Sequence, residues 1–172
     1  ESGAENMGRE VIRGLGCWQR RPRDLWRMRD SLWTPAGDSV PTALTTIDVR
    51  TAELDSFGHV NHAVYLHYLE HSRFQALKEA GFSWVVLDER NWAIFVVRLE
   101  VDYLAEAKRE DRLCVRTWAD SFRRTSMILH QDIVKADDPM TSLVRARVTA
   151  VWIGPNRKPI RVPAEVRAGL LP

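Results

Sequence analysis

This sequence predicts an α+β domain in which an antiparallel five-stranded sheet curls around one long helix. Three observations carry that prediction. A single alternating strand near residue 45 is followed by one long amphipathic segment, and four further alternating runs then follow, separated only by short polar turns. An apolar period of two marks half-buried strands and a period near 3.6 marks a helix face, so the order reads strand, helix, then four strands. Turns this short join antiparallel neighbours, and a helix with an apolar stripe has to be covered by the sheet. A chain of 172 residues suits one domain, given the usual ~100–200 residues per domain.

Residues 1–40 differ from the rest. They hold seven arginines, no lysine and three tryptophans, with Gly14, Gly16 and Pro22 interrupting any period. They are expected to be a poorly ordered leader, in a chain that does not begin with Met; a basic arm for a partner is the functional alternative. The domain proper is taken as residues 41–172. Its first strand covers Thr45 to Arg50. Asn61 is a good N-cap and Gly81 a good C′ residue for a helix from His62 to about Ala80, with Tyr65, Leu69, Ser72, Ala76 and Ala80 on one stripe that Leu66 and Leu77 widen. The four later runs are Val97 to Tyr103, Leu113 to Ala119, Met127 to Ile133 and Val144 to Trp152.

Composition removes several classes of function. A net charge of +2 is too small to imply a nucleic-acid surface. Cys17 and Cys114 form neither a C-x-x-C pair nor a regular framework, which fits a reducing cytoplasm rather than a disulfide scaffold. No apolar run approaches the ~18 residues of a membrane span, so a soluble protein is expected.

The most informative stretch is Asp55 to His62, which puts a carboxylate, a chain reversal and a helix start side by side. A base or nucleophile next to the unpaired N–H groups that open a helix suits acyl transfer, because those donors and the helix dipole stabilise the oxyanion formed on attack. Asp55 can attack a carbonyl or activate a water for that attack; its ordinary structural use would be a turn that bonds local amides. Gly58 suits a positive-φ turn.

Asp55, Gly58, His59, Val60, Asn61 and Tyr65 reproduce D-x-x-G-H-V-N-x-x-x-Y, and the chain here resembles the hot-dog acyl-CoA thioesterases related to 4-hydroxybenzoyl-CoA thioesterase. The resemblance continues through Tyr68 to Arg73, Tyr103 to Ala105 and Lys158 to Pro163. It implies a hot-dog fold, hydrolysis of acyl-CoA or acyl-carrier-protein thioesters, pairing into a homodimer or dimer of dimers, Asp55 as the catalytic carboxylate and the His62 N–H as oxyanion donor. Gly58, His59, Val60, Asn61, Tyr65, Leu66 and Leu69 are the expected substrate-binding set, with His59 holding the loop. One departure is His62, where members of this family usually carry a second Asn.

Glu70 lies two helical turns after His62, the position of the catalytic acid in a second branch of hot-dog thioesterases; the commoner reading is an ion pair with Arg73. His67, Glu70 and His71 also match H-x-x-E-H, but the thioesterase signature explains the same helix, so neither metal nor cofactor is expected. Arg123, Arg124, Arg145, Arg147, Arg157, Lys158 and Arg161 are candidate contacts for coenzyme A phosphates. An apolar acyl pocket is expected from Leu66, Leu69, Phe74 and Leu77 facing Val97, Leu99 and Val101. The rival reading is a non-catalytic hot-dog domain that binds acyl-CoA as a sensor; a dehydratase is disfavoured because its proline- and glycine-rich His motif is absent.

Overall fold

A computed structural model describes residues 43–170. The leader read from residues 1–40 therefore lies outside the described residues, as does Cys17. Five strands, β1 (Ala43–Asp48), β2 (Ala93–Tyr103), β3 (Arg112–Phe122), β4 (Ser126–Lys135) and β5 (Ser142–Ile153), accompany three helices, α1 (His62–Glu79), α2 (Trp84–Glu89) and α3 (Ala164–Leu170). All strand pairs are antiparallel, in the order β1-β3-β4-β5-β2. The expected hot-dog arrangement is thus present: α1 links a strand on one edge to the short α2 and β2 on the other edge.

Helix α1 begins and ends where the caps dictate. Asn61 Oδ1 accepts the Ala63 N–H at 2.9 Å, and Gly81 takes a left-handed φ of 91° just past the last turn. Its buried residues are Tyr65, Tyr68, Leu69, Ser72, Ala76 and Leu77. Ser72 is tolerated there because its hydroxyl donates to the Tyr68 carbonyl at 2.8 Å. The first turns pack with Val115, Ile133, Val144 and Ala146; the last turn packs with Phe82, Leu129, Trp152 and Val166. Leu69 is fully buried, so Leu69→Ala would cost about 2–5 kcal/mol.

Several boundaries differ from the sequence reading. Strand β1 stops at Asp48, because the Val49 N–H leaves the ladder for the Asp111 carbonyl at 3.0 Å and a 3-10 turn, Thr51–Glu53, follows. Strand β2 starts at Ala93 rather than Val97. Its first residues, Ile94 to Val97, are uniformly apolar, which hides the alternation, and a bulge falls between Val96 and Arg98. Helices α2 and α3 were not anticipated; the first is capped by Ser83 Oγ, which accepts the Val86 N–H at 3.4 Å, and the second buries Val166 and Leu170.

Candidate active site

The signature loop is a small knot of backbone bonds. Leu54 bridges Val60, the Asp55 N–H donates to the His59 carbonyl at 2.8 Å, and the Gly58 N–H returns to the Asp55 carbonyl at 3.1 Å. Gly58 has a φ of 78°, the left-handed conformation expected of it. Asp55 Oδ1 accepts the N–H groups of Phe57, at 2.8 Å, and His59, at 3.2 Å. Oδ2 accepts nothing among the described residues. The turn thus uses one oxygen to fix the carboxylate and leaves the other without a partner among the described residues.

At the helix start, Asn61 satisfies two donors, its Oδ1 taking the Ala63 N–H and its carbonyl the Val64 N–H, both at 2.9 Å. The intervening His62 N–H has no acceptor among the described residues. Tyr103, at the end of β2, reaches this point: its hydroxyl donates to the His62 carbonyl at 2.9 Å. Its ring stands edge-on to both His62 and Tyr65. Burial raises the pKa of the Tyr103 hydroxyl, which keeps it a donor. The His62 imidazole is exposed.

The remaining expected residues are distributed less simply. Val60, Tyr65 and Leu69 were expected to touch substrate, yet in this chain all three are core residues. The Tyr65 hydroxyl accepts the Ala107 N–H at 2.9 Å, and the Val60 N–H donates to the Ala107 carbonyl at 2.8 Å, so these two residues fasten the loop. His59 is half-buried, its Nε2 3.5 Å from the Glu106 carboxylate, and its backbone bridges Lys108. Leu66 and Glu70 are exposed on the flank of α1 beside its buried stripe.

The expected Glu70–Arg73 ion pair is not formed. Arg73 turns under the helix instead, where its Nη1 donates to Gln131 Oε1 at 2.9 Å; Gln131 Nε2 in turn donates to the Leu69 carbonyl and to Thr117 Oγ1. Burial lowers the Arg73 pKa, and the more distant Glu70 charge only partly opposes it. A buried amide that accepts from Arg73 and donates to the Leu69 carbonyl and the Thr117 hydroxyl outcompetes an exposed ion pair of little worth. His67, Glu70 and His71 are all exposed, and among the described residues no three metal-ligating side chains gather at one point. Of the candidate phosphate contacts, Arg147 already pairs with Glu100 at 3.1 Å.

The expected apolar pocket is likewise not enclosed by one chain. Leu77 is core, whereas Val97 is 60% exposed. An open cleft of about 420 Å³ does lie beside the β2–β3 turn, lined by Ala105, Glu106, Lys108, Lys135, Asp138, Thr141 and Leu143, and none of the residues expected to form the acyl pocket borders it. Two contributors to the site were not picked out by sequence reasoning. Tyr103 was read as a strand end within the resemblance, without its bond to His62, and Glu53 was not read at all; these contacts span 41 and 15 residues of sequence, and only Glu53 stands next to the signature.

Among the described residues no helix is long and apolar enough to cross a membrane. Residues 49–170 match the family model described as Thioesterase-like superfamily. Over 123 residues the chain is 32% identical to the acyl-CoA thioesterase YbgC of Haemophilus influenzae, covering 71% of this chain and 89% of that protein. Over 122 residues it is 30% identical to the chloroplastic acyl-acyl carrier protein thioesterase ATL2 of Arabidopsis thaliana, covering 71% of this chain but 64% of that protein's length. Among solved structures, the probable thioesterase YbaW of Escherichia coli aligns with a TM-score of 0.65 at 30% identity, over 74% of this chain and 95% of that one. Matched over most of its described length in sequence and in fold, this chain belongs to the Thioesterase-like superfamily.

Proposed function

We propose that this chain hydrolyses acyl thioesters, carried on coenzyme A or on an acyl carrier protein, to a free acid and a thiol. The observation that carries the reading is the pair of unengaged groups on one loop and helix start, Asp55 Oδ2 and the His62 N–H. In the general-base route, Asp55 takes a proton from water as the oxygen adds to the thioester carbon. The carbonyl oxygen becomes an oxyanion that accepts the His62 N–H, and collapse of the adduct expels the thiolate, which regains a proton from Asp55. In the nucleophilic route Asp55 adds directly, the thiolate leaves, and water hydrolyses the resulting anhydride. One oxyanion donor is worth about 10²–10³ in rate. The carriers are those named for YbgC and ATL2.

Two copies of the chain are proposed to complete the site, as a homodimer or dimer of dimers. Strand β2 is an unpaired edge on which Phe95, Val96 and Val97 are exposed, the kind of edge that pairing removes. A partner along this edge would cover the flank of α1 that carries Leu66 and Glu70 and enclose an apolar acyl site there. Each buried CH₂ contributes about 0.8 kcal/mol, so medium or long aliphatic chains are favoured over acetyl or malonyl groups. The domain of residues 41–172 is proposed to suffice for this activity.

A panel of acyl-CoAs followed with a thiol reagent tests the reading. Turnover should climb with chain length and then level, and Asp55→Asn, which keeps a turn acceptor, should lower it at least about 100-fold. Near-normal turnover in Asp55→Asn sinks the assignment, and a dead Glu70→Gln beside it moves the chemistry to Glu70.

A further inference from the structure

Glu53 closes the 3-10 turn before the signature loop, and its side chain is only 12% exposed. Its Oε1 receives the Arg50 guanidinium at 2.6 and 3.0 Å. Its Oε2 receives the Arg50 N–H and the Tyr68 hydroxyl, both at 2.7 Å. The Glu53 carbonyl accepts the Asn61 N–H at 2.9 Å. One residue, two before Asp55 in the chain, is thus bonded through its backbone to the neighbour of His62 and through its side chain to the second turn of α1. Burial opposes ionisation of Glu53, but the bonds from Arg50 and Tyr68 outweigh it and hold the carboxylate below its ordinary range. Burial, then the bond to Glu53, raise the Tyr68 pKa well above the ordinary tyrosine range, so the hydroxyl remains a donor.

A second fastening lies on the other side of the loop. Tyr65 stands edge-on to Tyr68 and its hydroxyl holds Ala107, whose carbonyl holds Val60. The two tyrosines therefore grip the loop on both sides from one face of α1. Both are 3% exposed, which leaves no surface for substrate contact.

We propose that Glu53 and Tyr68 are positioning residues for thioester hydrolysis, their hydrogen bond fixing the loop that carries Asp55 against the helix whose first N–H, at His62, receives the thioester oxygen. This rests on the catalytic reading of Asp55 and His62 above. It matters because a reacting group held about 1 Å out of place can cost about 10²-fold in rate, even when the displaced residue never touches substrate.

The test uses the full chain with Tyr68→Phe, which keeps the ring on Tyr65, and Glu53→Gln, which keeps the shape and removes the charge. On the best acyl-CoA each should lower kcat about 10- to 100-fold while KM stays within about 3-fold. The double variant should lose less than the product of the two single losses, since both variants disturb the bond between Tyr68 and Glu53. A variant that loses stability but keeps wild-type kcat while folded overturns the proposal, as does a raised KM at unchanged kcat. If Tyr68→Phe does not fold, Glu53→Gln decides by the same split. Asp55→Asn measured alongside separates the two failures: dead Asp55→Asn with wild-type kcat in the other variants overturns the positioning role alone, whereas active Asp55→Asn overturns the catalytic reading and this inference with it.

Discussion

The Tyr103 hydroxyl donates to the carbonyl of His62 at 2.9 Å, tying the end of edge strand β2 to the first residue of α1. The ring of Tyr103 packs edge-on against His62 and Tyr65 as well, so three aromatic groups set the attitude of the helix start. Whatever shifts β2 shifts the neighbourhood of the unengaged His62 N–H. The proposed oxyanion donor is coupled in this way to the edge at which two copies are proposed to meet.

Tyr103→Phe should therefore lower kcat several-fold, up to about 10-fold, and cost about 0.5–1.5 kcal/mol of stability, the usual net worth of one hydrogen bond. Steady-state kinetics beside urea unfolding would measure both. An unchanged kcat would mean that the His62 carbonyl bond plays no part in setting the donor.

Val97→Asp tests the pairing of copies. Val97 is 60% exposed at a bulge, so in a lone chain the change should alter stability by no more than about 0.5 kcal/mol. Light scattering should give half the wild-type mass, with acyl-CoA turnover lost. A mutant of wild-type mass, or a fully active monomer, would contradict the proposed assembly.

Gln131→Leu should destabilise the protein by about 2–3 kcal/mol, because it strands the half-buried Arg73 guanidinium and leaves the Leu69 carbonyl and Thr117 hydroxyl short of a partner. The urea midpoint should fall at constant slope. Arg73→Met in the same background should restore part of the loss, since the stranded charge is then gone; no recovery would show that Gln131 acts by shape alone.

Acid should weaken the fold through Glu53. Its folded-state pKa is depressed, so its contribution is full above the unfolded value of roughly 4.3 and is lost as pH falls through the folded value. Asp132 works in the opposite direction: burial raises its pKa against the bonds from Ser142 and Arg116, so its protonation favours the folded state. Comparing urea midpoints of wild type and Glu53→Gln at pH 6 and near pH 3.5 isolates the first effect. The difference between the two proteins should shrink at the lower pH, and a constant difference would count against it.

Local chemistry made much of this molecule readable in advance. Asn61 and Gly81 bracket α1 because capping is decided within a few residues, and the strands β3 to β5 announced themselves by alternation. Uniformly apolar residues hid the start of β2, since an unbroken apolar run carries no period of two. The turn at Asp55 and Gly58 and the helix start at His62 were legible because the loop is built from its own backbone. Arg73 was misread because spacing on a helix says which residues can meet, and nothing of a buried glutamine waiting on the sheet below. The bonds from Tyr68 to Glu53 and from Tyr103 to His62 went unread for the same reason, each joining residues far apart along the chain.

The strand order has a consequence for biosynthesis. Strand β2 leaves the ribosome well before β5, its sole neighbour within the sheet among the described residues. Until Ser142–Ile153 emerges, Ala93–Tyr103 has no ladder partner among the described residues. Pairings this distant in sequence form slowly, because the intervening chain must first be closed into a loop. The nascent chain thus carries an apolar strand with both edges open during the interval in which contacts between unfinished chains are most damaging, and a delay in translation between residues 104 and 141 would lengthen that interval.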